Sequence, residues 1–116
     1  MLDVHQLESF NQLARIIRSG ASSNCPTLIY SFIEFGVLHS KNINDVVNQR
    51  EIFYYVYHTL LETICDPLID QYWRRVCLDN IHKPLHQISE LAQTNDEKKE
   101  SLRLKNEFIT VCSYFL

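Results

Sequence analysis

Pro26-Thr27-Leu28-Ile29-Tyr30-Ser31-Phe32-Ile33-Glu34-Phe35-Gly36-Val37-Leu38-His39 carries apolar side chains on nearly every side of a helical wheel. A surface helix shows one apolar stripe, whereas a helix apolar all round is one enclosed by neighbours. This segment is therefore expected to be the central helix of an all-α fold. Pro26 suits its first turn, where an amide hydrogen has no intrahelical partner, and the oxygens of Ser22-Ser23-Asn24 are placed to cap it.

Toward the N-terminus, Leu7, Phe10, Leu13, Ala14 and Ile17 recur at three- and four-residue spacings, which predicts a helix from Val4 to Arg18. Gly20 supplies its stop. Toward the C-terminus, Asn42 or Asn44 is placed to cap the longest helix, whose stripe is Val46, Phe53, Val56, Tyr57, Leu60, Leu61 and Ile64. Asp66-Pro67 should end it and open a fourth helix carrying Leu68, Ile69, Tyr72, Trp73, Val76 and Ile81, because proline disfavours helix before it and suits a first turn. Lys83-Pro84 repeats the device for a fifth helix with Leu85, Ile88, Leu91 and Ala92 on its apolar side. Thr94-Asn95-Asp96-Glu97 has capping-box spacing and opens a sixth, with Leu104, Phe108, Val111 and Phe115 on one face.

The composition agrees with this pattern. Only Gly20, Gly36 and three prolines occur in 116 residues, too few for the tight turns of an all-β chain. The apolar share of 46% and charged share of 22% suit one globular domain spanning 1–116, which should bury about two-thirds of its unfolded surface. The expected fold is a compact bundle of about six helices, with a segment of an α-solenoid of HEAT or armadillo type as the alternative. The chain ends in the apolar run Val111-Cys112-Ser113-Tyr114-Phe115-Leu116, which raises the expectation of a piece of a larger protein.

Other features bound the setting. No secretory leader is visible at Met1-Leu2-Asp3, and the longest apolar run, 28–38, is too short to span a bilayer. Cys25, Cys65, Cys77 and Cys112 have apolar neighbours in a chain that is not loop-rich, so reduced thiols in a cytoplasmic or nuclear protein are expected. A formal charge of −3 provides no chain-wide attraction for nucleic acid or anionic lipid.

Signatures of chemistry are sparse. Cys77, His82 and His86 form C-x4-H-x3-H, part of a zinc pattern, but Pro84 interrupts the helix and no fourth ligand is near. His58 lies among tyrosines with Glu51 and Glu62 within two turns, a pairing common on helix surfaces. There is no glycine-rich phosphate cradle, Gly-x-Ser-x-Gly elbow or His-Glu-x-x-His. Lys98, Lys99, Arg103 and Lys105 alternate with Asp96, Glu97, Glu100 and Glu107 as on a solvated helix. No enzyme activity, cofactor, metal or small-molecule substrate is expected.

Two aromatic clusters stand out. In Phe53-Tyr54-Tyr55-Val56-Tyr57 consecutive rings point about 100° apart, so some face away from a single core. Tyr72-Trp73-Arg74-Arg75 joins rings to guanidiniums, the chemistry of protein interfaces and of base stacking. A plainer reading has Tyr72, Trp73 and Val76 packing inward, with both arginines in solvent or paired with Asp70 and Asp79. The expected function is a protein-protein interaction module, a scaffold or adaptor segment of an intracellular complex or a self-associating one. Its candidate partner-binding residues are Tyr54, Tyr55, Tyr72, Trp73, Arg74, Arg75 and Phe115. The alternative is a nucleic-acid-associated domain using residues 72–75.

Overall fold

Gly20 ends the first helix because its backbone is left-handed, φ +67°, and a β-carbon there would meet Ile69 Cγ2 at 2.9 Å. The other helices also start or stop on identifiable local devices. The computed structural model describes residues 4–115, with only the backbone described at Val4 and Phe115. They form α1 (Val4–Ser19), α2 (Thr27–Ser40), α3 (Val46–Ile64), α4 (Gln71–Asn80), α5 (His82–Glu90) and α6 (Asn95–Phe115), with no strand among the described residues.

Several caps differ from the sequence expectation. α2 has no side-chain cap, because residues 21–24 are spent in a turn one step too early and Pro26 itself sits at the cap position. α3 is capped by Asp45 rather than Asn42 or Asn44. Its carboxylate accepts the Val47 N–H at 3.0 Å and adds negative charge at the positive end of the helix dipole.

Asp66-Pro67 ends α3 but does not open α4. Asp66 accepts the Leu68 N–H at 2.9 Å and the Arg18 guanidinium at 2.7 Å, which holds the chain in a turn. Asp70 then caps α4 by accepting the Tyr72 N–H at 2.8 Å, leaving Leu68 outside the helix and 92% exposed. Pro84 acts through geometry: it cannot donate to the Asn80 carbonyl and its ring crowds that oxygen, so α4 stops there and Ile81 is the joint to α5. The predicted capping box forms, with Thr94 Oγ1 accepting the Glu97 N–H at 3.1 Å and Glu97 accepting the Thr94 N–H at 3.0 Å.

The central helix is α3, not α2. α3 packs against every other helix, whereas α2 packs against α1, α3 and α4 and leaves Tyr30 and Leu38 at the surface. Such an arrangement is a closed bundle, since in a solenoid each unit touches only its neighbours. Phe53, Val56, Tyr57, Leu60 and Ile64 of α3 meet Phe10, Ile17, Ile29, Phe32, Trp73, Ile81 and Ile88 in one core. Gly36 permits the close approach of α2, since a β-carbon there would lie 3.3 Å from Val56 Cγ2. Thr59 and Thr63 are tolerated at the centre because their hydroxyls donate back to the Tyr55 and Thr59 carbonyls, both at 2.8 Å. The Cα atoms fill 37 × 35 × 15 Å, about two helix layers deep.

Candidate functional site

The aromatic and basic residues singled out from the sequence do not share one surface. Tyr54 faces α6, its hydroxyl accepting from Arg50 Nη2 at 3.1 Å while the Arg50 guanidinium stands 5.4 Å from its ring. Tyr55 points the other way, its ring edge-on to Phe10 at 5.3 Å and Phe32 at 6.3 Å, where it extends the α1–α2 core. Burial raises the pKa of both phenols, so both are neutral packing groups.

The segment 72–75 is divided by the helical period. Tyr72 and Arg75 point outward. Trp73 is fully enclosed and donates its Nε1 hydrogen to the Ile17 carbonyl at 2.9 Å, so it presents no ring to a partner. Arg74 is buried as well, donating from Nε to the Ile64 carbonyl at 2.8 Å at the negative end of α3. Trp73 and Arg74 are thus structural residues, and a stacking or phosphate-binding surface across 72–75 loses its centre. The inward expectation holds for Trp73 and Val76 and fails for Tyr72, and the solvent expectation holds for Arg75 and fails for Arg74. The Phe115 side chain lies outside the described residues.

Neither candidate chemical cluster assembles. Cys77 is enclosed and burial pushes its thiol up to about 12, while His82 and His86 are exposed. Among the described residues no group of three His, Cys, Asp or Glu side chains could hold a metal. His58 is exposed, with its ring 5.1 Å from Tyr57 and 6.3 Å from Tyr54.

What the sequence did not reveal is a groove of about 760 Å³ between α2 and α5. Tyr30, Ile33, Glu34, Phe35, Val37 and Leu38 form one wall, Lys83, Pro84 and Gln87 the other, and Phe53 of α3 contributes to the lining. Lys83 Nζ stands 5.3 Å from the Tyr30 ring across the groove mouth, and Glu34 is exposed on the opposite wall. Its lining is mainly apolar, with one acid and one base and no histidine or cysteine. The signal was present in α2, which is apolar on nearly every side yet shorter than α3. One of its sides had to remain uncovered once α3 took the centre.

α6 is attached to this bundle along one face. Tyr57, fully buried in α3, puts its hydroxyl 2.9 Å from Glu107 Oε1 and 3.3 Å from the Leu104 carbonyl. Burial first, then the bond to Glu107, raises the Tyr57 pKa, so the phenol stays a donor. Arg50 Nη1 reaches Glu97 Oε2 at 2.8 Å one end further along. In comparisons with protein-family models, curated proteins and solved structures, no match to this chain was found.

Proposed function

We propose that this chain is a non-enzymatic protein-interaction module, a scaffold or adaptor segment that receives an apolar segment of a protein partner in the α2–α5 groove. The observation that carries the reading is the groove itself. It is an open apolar trough with one acid and one base at its sides, a composition that anchors side chains and fixes orientation. Chemistry would call for a cluster of converging titratable groups, whereas the titratable side chains of the lining are Tyr30, Glu34 and Lys83, without a histidine or cysteine. The four free cysteines fit an intracellular, cytoplasmic or nuclear setting. No helix among the described residues is long and apolar enough to cross a membrane.

Photo-crosslinking tests the reading. A benzophenone amino acid at Leu38 should yield a saturable crosslink to a protein, lost when Tyr30 is changed to Asp, while the same group at exposed Ser9 of α1 yields none. Crosslinks equal at the two sites, or only to nucleic acid, would remove the groove from consideration. Light scattering over a dilution series separates a foreign partner from self-association, because only a second copy makes the mass rise with concentration.

A further inference from the structure

We infer that the outer face of α6 is a second docking surface, one that fits an acidic amphipathic helix of a protein partner. It is separate from the α2–α5 groove and does not rest on it.

At 100° per residue, Lys98, Leu102, Lys105 and Ile109 fall within one 60° sector of α6, a line of alternating cation and aliphatic chain. All four are exposed, Leu102 at 60% and Ile109 at 63%. Leu102 and Ile109 lie one heptad apart on a helix about 31 Å long, so the line offers one aliphatic contact per heptad with a lysine at each alternate position.

The charges select the partner. On α6 the acids facing the bundle are already engaged: Glu97 with Arg50, and Glu100 and Glu107 with Arg103. Among the described residues Lys98, Lys99 and Lys105 take part in no ion pair, and no acid falls inside the sector. A chain with formal charge −3 therefore presents one strip of unmatched positive charge interrupted by leucine and isoleucine. A second copy of the strip would bring lysines with no carboxylate to meet them. A bilayer fits poorly too, because lysines that flank the apolar face of an interfacial helix here stand in line with it and would be driven under the surface. A helix with aliphatic residues opposite Leu102 and Ile109 and carboxylates opposite Lys98 and Lys105 satisfies both features.

The test uses the whole chain and a synthetic amphipathic helix bearing leucines at two successive heptad positions and glutamates at those facing the two lysines. Fluorescence anisotropy should show binding that weakens several-fold as salt rises from about 50 to about 500 mM. Lys98→Glu/Lys105→Glu should weaken it about tenfold and create affinity for the same peptide carrying lysine in place of glutamate. Ile109→Ser should lower affinity with circular dichroism and melting unchanged, and Leu38→Asp in the groove should have no effect. Equal binding of a scrambled peptide, or undiminished binding after charge reversal, overturns the inference. So does loss of peptide binding alongside lysine-dependent capture on phosphatidylserine vesicles, or a dimer abolished by Leu102→Ser.

Discussion

α3 and α6 are the two longest helices, 19 and 21 residues, and the bundle uses them in opposite ways. α3 buries eight residues, including Arg50, Thr59 and Thr63, whereas Ser101 and Leu104 are the buried residues among those described on α6. Each has an apolar stripe at helical spacing, so pattern alone ranks them alike. The difference comes from position: five neighbours enclose α3, while α6 leans on α3 and α5 from outside. Polar groups drawn into the centre must find partners inside, and those on α6 can use water.

Five measurements would break or sharpen that contrast. The largest effect should come from Phe53→Ala, which empties a buried site in α3 and should cost about 3–5 kcal/mol in urea unfolding. A loss no greater than that of an exposed residue would mean α3 is not the centre. Arg50→Ala removes a buried guanidinium that joins α3 to Glu97 at the start of α6, and a loss of about 2 kcal/mol is expected. Tyr57→Phe keeps the ring but deletes the donor to Glu107 and the Leu104 carbonyl, for about 1 kcal/mol. Amide exchange in the second half of α6 should rise more than in α3.

Acid should loosen α6 before α3. The N–H groups of Gln93 and Thr94, and beyond them the charge of Arg50, hold the Glu97 carboxyl below its ordinary value of 4.5. A depressed carboxyl contributes stability that is fully present above that ordinary value and is lost as pH falls through the lower folded one. Nuclear magnetic resonance between about pH 6 and about pH 3 should therefore show α6 amides moving first, and simultaneous loss of both helices would contradict the contrast. Smallest of all, Ile109→Ser on the outer face should change stability by no more than about 0.5 kcal/mol. A large loss there would show that α6 is covered on that side.

Local signals were legible wherever the physics is local. Gly20 as a stop and Thr94-Glu97 as a capping box depend on backbone sterics and on groups within four residues, so spacing suffices to find them. Asp45 and Asp70 were missed for a local reason as well, since several oxygens compete at each helix start and a shift of one or two residues decides which reaches an N–H. Arg74 was illegible for another reason. Its acceptor, the Ile64 carbonyl, is brought to it by the 66–70 turn, and no pattern around residue 74 announces a helix end beside it.

The sequence by itself determined that the chain is all-helical, near enough where each helix lies, and that α1, α3 and α4 carry residues for a single core, because helical period and capping act over a few residues. Only the tertiary structure decided which helix is central, that Trp73 and Arg74 serve the interior, and where apolar surface is left over as the α2–α5 groove and the outer face of α6. Those outcomes depend on which faces meet. Burial is a property of pairs of elements distant in sequence, and a stripe on one helix does not name the stripe that covers it.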